Sequence, residues 1–202
     1  MIAVEAGADA VGFVFAPSPR RVTAEQVAVI VPQLPAEIEK IGVFVDATVD
    51  EIVATVETAG LTGVQLHWEA PGELTAALRA QLGTGVRVLG VVYFDAEGAE
   101  GRAALDFDSN VDAILVDSRT AKVMGGTGKS YDWAAARRSH FGRAGELKLI
   151  AAGGLTPDNV AEAIATLRPW GVDVVSGVEA APGRKDAAKV RAFIANARAA
   201  KK

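Results

Sequence analysis

The chain has 202 residues, 50% of them hydrophobic and 23% charged, which is long enough for one sizeable core and typical of a globular protein. A net charge of −4 leaves no positively charged surface for nucleic acid. The chain has no cysteine, which excludes disulfides and thiolate metal sites, and its two histidines, His67 and His140, are far apart in the sequence, which argues against any metal. No apolar run approaches the roughly 20 residues of a membrane span and no secretion signal opens the chain, so we expect no membrane association and a cytoplasmic location.

The N-terminal stretch MIAVEAG predicts the last turn of a helix over residues 2–5, because a glycine such as Gly7 often closes a helix. Short apolar runs rich in β-branched residues then recur along the chain. They predict strands at 10–15, 40–45, 63–67, 86–92, 112–117, 147–152 and 172–177.

Helix-like patterns fill nearly every gap between these strands. Thr23 is a candidate N-cap, and Thr48 begins a capping box with Glu51 in a helix that stops at Gly60. Thr156 is a further candidate cap, with Pro157 at the first helical position. We also expect a short helix within 99–107 and a closing helix over 184–200.

Alternating strands and helices indicate right-handed βαβ units around a parallel sheet. We expect a single domain over residues 1–202 with the (β/α)₈ TIM barrel fold, its first strand and most of its first helix being absent from this chain. The alternative is an open, doubly wound sheet. Regular spacing and polar residues at strand ends (Gln65, His67, Asp117, Ser176) favour the barrel, whose catalytic groups lie there.

Two glycine-containing loops follow the last two predicted strands. The first contains Gly153 and Gly154 in AAGGLTPDNV, and the second contains Ser176 and Gly177 in VDVVSGVEAAPGRKD. Bare glycine backbone lets N–H groups approach an anion, and the last two loops of a barrel are a common phosphate site. Each loop alone could be only a tight turn, but the pair favours phosphate binding.

The stretch MGGTGKS (124–130) does not fit a P-loop, because position 123, where that motif needs glycine, is Val123. We interpret it as a glycine-rich loop that covers the mouth of the barrel.

Three further polar residues have two readings each. Asp117 ends an apolar strand, where a carboxyl group can act as a general acid, or it pairs with Arg119. Arg20, in SPRRV, binds a carboxylate or belongs to a solvated surface pair. His67 orients a substrate or is a satisfied histidine at the rim.

The segments GADAVGFVF, SPRRV, GVQLH, GGTGKSYDW, GGLTPDNV and VDVVSGVEAAPGRKD, in this order, resemble the phosphoribosylanthranilate isomerase family of tryptophan biosynthesis. The resemblance implies a cofactor-free Amadori rearrangement of N-(5-phosphoribosyl)anthranilate to 1-(2-carboxyphenylamino)-1-deoxyribulose 5-phosphate. It also implies a phosphorylated small molecule as the partner, and a monomer or homodimer. Another phosphate-binding barrel enzyme, or a non-catalytic barrel that still binds a sugar phosphate, are the alternatives.

The resemblance assigns roles to individual residues. Asp117 matches the general acid that opens the furanose ring, and Arg20 matches the arginine that binds the anthranilate carboxylate. His67 and Asp173 match polar positions near the substrate. The backbone phosphate cradle falls on the two glycine loops, at Gly153, Gly154, Ser176 and Gly177.

One departure concerns the general base. In the family a cysteine in a Lys-Ile-Cys-Gly motif takes the C2 proton, and this sequence has no cysteine. The family's first strand would lie upstream of Met1. We therefore expect the isomerase activity of these 202 residues to be impaired.

Overall fold

The computed structural model describes residues 1–67, 72–94, 108–117, 132–143 and 145–200. These residues form an α/β fold with seven strands in parallel pairings and one small antiparallel hairpin. They divide into two compact units: the first contains the described residues of Ala3–Val91 with Asp108–Asp112, and the second contains residues 92–94 and the described residues from Ala113 onward. The predicted helix at 99–107, Arg119 and the loop at 124–130 lie outside the described residues.

The first unit is a run of parallel strands with helices between them. Its strands are β1 (Ala10–Val14), β2 (Glu39–Phe44), β3 (Gly63–Leu66) and β4 (Arg87–Tyr93), the last of which runs on into the second unit. Each strand pairs with the next, in the register Ala10↔Glu39, Ile41↔Gly63 and Gly63↔Arg87. The helices of this part of the chain are α1 (Ile2–Glu5), α2 (Ala24–Ile30), α3 (Val49–Ala59) and α4 (Gly72–Leu82).

Local signals place two of these helices where the sequence predicts them. Thr23 and Thr48 both cap with their side chains, and each completes a capping box with the residue three positions on. Helix α3 ends at Gly60, whose φ of 67° is the left-handed conformation that closes many helices.

The core of the first unit lies between its strands and helices. The side chains of Ile52 and Leu78, from α3 and α4, are fully buried against Val64 and Val88 of β3 and β4. The Phe15 and Phe44 rings stack at 5.2 Å between centroids. Apolar burial of this kind, at roughly 25 cal/mol per Å², is the main force that fixes the strand ends in place.

The second unit repeats the parallel pattern. Its strands are β5 (Ala113–Asp117), β6 (Leu149–Ala151) and β7 (Gly171–Val172), followed by the hairpin strands β8 (Glu179–Ala181) and β9 (Arg184–Lys185). The parallel register is Ile114↔Leu149 and Ile150↔Gly171. Its helices are α5 (Trp133–Ser139), α6 (Val160–Leu167) and α7 (Ala187–Ala200), with α6 and α7 in contact.

Three boundaries in the second unit differ from the sequence prediction. Helix α6 starts at Val160 rather than after Thr156, and a turn over 157–159 leads into it. There the Asn159 side chain accepts from the Thr156 N–H at 2.8 Å and donates to the Gly154 carbonyl at 3.0 Å. The predicted strand 172–177 shortens to β7, and Ser176–Val178 form a 3₁₀ turn.

The third boundary is at the start of the closing helix. Arg184 and Lys185 belong to the hairpin, and α7 begins at Ala187 after Asp186, whose carboxylate accepts from the N–H groups of Ala188 and Lys189. None of the helices in the described part of the chain is long and apolar enough to cross a membrane.

Candidate active site

Every polar residue predicted for the site follows the carboxyl end of a parallel strand. In the first unit these are Arg20, in the loop after β1, and His67, directly after β3. In the second unit, Asp117 is the last residue of β5 and Asp173 directly follows β7. The first glycine loop follows β6, and the second lies a few residues after Asp173. Side chains of parallel α/β folds that bind or react commonly lie at these strand ends.

Asp117 and Asp173 form a pair of interacting carboxyl groups. The Asp117 carbonyl accepts from the Phe94 N–H at 2.8 Å, and the Asp173 N–H donates to the Ala151 carbonyl at 2.9 Å, so the backbone of both residues is held. Burial raises the pKa of Asp173, the neighbouring Asp117 charge raises it further, and together they bring it to about 6 against opposing effects of Lys185 and the Val174 N–H. A carboxyl with that pKa exchanges its proton near neutral pH, as acid–base catalysis requires.

The two glycine loops are in direct contact. Gly153 and Gly154 have φ values of 81° and 65°, a backbone conformation that residues with a β-carbon rarely adopt. A β-carbon at Gly177 would overlap the carbonyl oxygen of Leu155, so the loop after β7 packs on the loop after β6 with no side chain between them. The two loops are therefore neighbours, and phosphate binding by them stays a prediction.

Arg20 and His67 are held by their own surroundings in the first unit. The Arg20 N–H donates to Ser18 Oγ at 3.0 Å in the turn after β1. The His67 N–H donates to the Phe44 carbonyl at 2.9 Å, and its Nε2 lies 2.7 Å from Gln65 Nε2. When the Gln65 amide donates, Nε2 accepts and the ring proton is on Nδ1. Gln65 thereby fixes the orientation of the His67 ring.

A polar cluster after the second glycine loop was not predicted from the sequence. Lys185 Nζ donates to the Val175 carbonyl at 2.7 Å and lies 3.5 Å from Glu179 Oε1. Glu179 is buried and accepts from the Gly183 N–H at 3.2 Å. The Pro-Gly pair at 182–183 is a turn signal that could have revealed this hairpin, which we interpreted as the start of the last helix. Within the described ranges, no group of three or more His, Asp or Glu side chains is placed to hold a metal ion.

Comparison with known proteins decides the family. The family model for N-(5'-phosphoribosyl)anthranilate (PRA) isomerase matches residues 1–196. This chain belongs to the PRA isomerase family. The motif resemblance found in the sequence is thereby confirmed.

Individual PRA isomerases match along nearly the whole chain. The enzyme of Geobacter sp. strain M21 is 44% identical over 199 residues, which cover 98% of this chain and 91% of that protein. The crystal structure of phosphoribosyl anthranilate isomerase from Thermotoga maritima gives a TM-score of 0.87 at 38% identity, covering 98% of this chain and 92% of the other. A further PRA isomerase structure, in complex with reduced 1-(o-carboxyphenylamino)-1-deoxyribulose 5-phosphate, gives a TM-score of 0.83 at 35% identity. That match covers 98% of this chain and 91% of the other.

Proposed function

We propose that this protein isomerises N-(5'-phosphoribosyl)anthranilate to 1-(2-carboxyphenylamino)-1-deoxyribulose 5-phosphate, a step of tryptophan biosynthesis. The observation that carries the proposal is the family match over residues 1–196, which includes all of the predicted site residues. The interacting carboxyl pair and the contacting glycine loops of the second unit support it, because the reaction needs a proton donor beside a bound sugar phosphate.

The reaction needs proton transfers and no redox partner. Protonation of the furanose ring oxygen breaks the C1–O bond while the lone pair of the anilino nitrogen forms the C1=N bond. Removal of the C2 proton then gives an enolamine, and addition of a proton at C1 with loss of the proton of the C2 hydroxyl yields the C2 ketone. The carboxyl pair supplies the first proton, with Asp117 as the donor to the ring oxygen and Asp173 as the second carboxyl group beside the sugar. Acid–base groups of this kind each contribute roughly 10²–10⁴-fold to a rate.

The remaining residues bind the two ends of the substrate. The backbone at Gly153, Gly154 and Gly177, with Ser176, cradles the phosphate. Arg20 binds the anthranilate carboxylate through its guanidinium fork, a geometry that suits a planar carboxylate. His67 orients the substrate, with its ring held by Gln65.

We further propose that the seven parallel strands belong to a (β/α)₈ barrel formed by one domain. The TM-score of 0.87 with the Thermotoga maritima enzyme supports this. The eighth strand and the single-domain arrangement stay predictions. So do the monomeric or homodimeric state and the absence of a cofactor; one solved structure is described as monomers generated from the dimeric Thermotoga maritima enzyme.

A protein that binds the sugar phosphate without turning it over is the alternative function. The resemblance implies a cysteine base, and the 202 residues contain no cysteine. Calorimetric titration with the reduced product, followed by a turnover assay, separates the two. The isomerase binds the ligand and consumes PRA with loss of anthranilate fluorescence. A non-catalytic protein binds without turnover, and absence of binding contradicts both functions.

A further inference from the structure

The hairpin β8–β9 directly follows the proposed phosphate loop and carries a lysine that points back to it. Lys185 Nζ donates to the carbonyl oxygen of Val175 at 2.7 Å. Val175 is the residue before Ser176, so this carbonyl belongs to the peptide group that also carries the Ser176 N–H. A peptide group is planar and trans, with its C=O and N–H pointing in opposite directions. Fixing the Val175 carbonyl therefore fixes the direction of the Ser176 N–H.

Lys185 is exposed, but the side chain that pairs with it is buried. The carboxylate of Glu179 lies 3.5 Å from Lys185 Nζ, and 5% of the Glu179 side chain is exposed. Glu179 is itself held, because its carboxylate accepts from the Gly183 N–H and its carbonyl accepts from Lys189 Nζ at 3.1 Å. A charge-assisted hydrogen bond with a supported donor is among the stronger and more directional contacts of a protein.

The ammonium group also adds positive charge beside the site. Its charge acts on Asp173, where it opposes the rise in pKa caused by burial and by Asp117. A cation this close to the strand ends favours a bound phosphate dianion as well, because opposite charges attract at short range.

We propose that Lys185 is a positioning residue for the substrate phosphate, holding the Val175 carbonyl so that the Ser176 N–H points into the phosphate cradle. The inference rests on the proposed function, which places the phosphate at these loops. It means that phosphate affinity also depends on Lys185, a residue that lies outside the two loops.

The test compares the affinity for inorganic phosphate and for the reduced product in four proteins: the full chain, K185M, K185R and R184M. Arg184 is the matched control, since it is an exposed cation in the same strand and its replacement removes the same charge. We expect K185M to lower the affinity for both ligands about tenfold or more, as loss of a charge-assisted contact does. K185R should retain most of the affinity and R184M should retain all of it.

A merely structural role for Lys185 predicts a different pattern. Loss of general stability lowers the affinity for every ligand. Loss of phosphate positioning does not change the affinity for a reduced product that lacks the phosphate group. Should K185M fail to fold, K185Q keeps a neutral donor for the Val175 carbonyl, and we expect it to bind phosphate more weakly than the full chain and R184M do; affinity equal to theirs would overturn the inference.

The possible failures are distinguishable. If the unsubstituted chain binds phosphate and K185M binds it equally well, the inference is wrong and the proposed function stands. If the unsubstituted chain binds neither phosphate nor the reduced product, the proposed function fails and this inference fails with it.

Discussion

Asp173 is half-buried beside Asp117, and desolvation of its carboxyl group together with the Asp117 charge raises the pKa of Asp173 to about 6. The two residues are far apart in the chain and come from the ends of β5 and β7. Two carboxyl groups that share a site resist joint ionisation, so one of them holds its proton close to neutral pH. This relationship makes predictions for stability, for titration and for catalysis.

The raised pKa predicts how stability depends on pH. The folded state binds the Asp173 proton more tightly than the unfolded state does. The contribution of this proton to stability is therefore greatest below about pH 4 and is lost as the pH rises through about 6. D173N should therefore become more stable relative to the unsubstituted chain across this window, by at most about 3 kcal/mol. Denaturant unfolding at pH 4 and pH 8 measures the difference.

The comparison must be made between variant and parent. Burial lowers the pKa of His140, so His140 destabilises the fold as the pH falls and acts in the opposite direction. An equal effect of D173N at both pH values would contradict the assigned environment of Asp173.

Substitution of Asp117 should change both the pKa of Asp173 and the rate of substrate turnover. D117N removes the negative charge beside Asp173, so the pKa of Asp173 should fall from about 6 toward its ordinary value, as followed by NMR of the carboxyl carbon. In a form of the protein with measurable turnover, D117N should lower kcat roughly 10²–10⁴-fold while affinity for the reduced product changes far less. A kcat within about threefold of the parent, well short of that span, would remove Asp117 from the mechanism.

Arg20 is predicted to act on substrate binding. R20A removes a charge-assisted contact worth about 1.5–3 kcal/mol and should raise KM roughly 10- to 100-fold with a smaller effect on kcat. Arg21, which is exposed in the same turn, is the matched control. A larger effect of R21A than of R20A would show that the two positions had been assigned the wrong way round.

The contact between the glycine loops predicts a strict requirement at position 177. In G177A the new methyl group meets the Leu155 carbonyl, so the loops must separate, and both stability and phosphate affinity should fall. Gly85 is the control, because a β-carbon there meets nothing within 4 Å. Thermal unfolding and phosphate titration of G177A and G85A measure the two effects. Equal behaviour of G177A and G85A would mean that the loop contact is dispensable.

What the sequence could predict follows from the range of the interactions involved. The caps at Thr23 and Thr48 and the stop at Gly60 depend on residues within one or two helical turns, and they are confirmed. The strands were recognisable because buried parallel strands are continuous apolar runs. Motif spacing then sufficed to name the family.

The sequence prediction differs from the structure where contacts between residues outside the local sequence pattern determine the conformation. Before α6, the Asn159 side chain donates to the Gly154 carbonyl in a turn where the sequence predicts helix. In the β8–β9 hairpin, Lys185 pairs with Glu179 and donates to the Val175 carbonyl ten residues earlier. The raised pKa of Asp173 depends on burial and on Asp117 from another strand, so no local pattern could reveal it.

Turnover of PRA, followed by loss of anthranilate fluorescence, tests the central claim most directly. The measurement compares the 202-residue chain with a version extended at its N-terminus by a strand carrying Lys-Ile-Cys-Gly, and with D117N of that extended version. Since one acid–base group contributes roughly 10²–10⁴-fold, the extended version should turn over PRA at least about 100 times faster than the 202 residues, and D117N should abolish most of the gain. Equal rates for the short and extended chains would contradict the cysteine base, and absence of turnover in both would contradict the isomerase function itself.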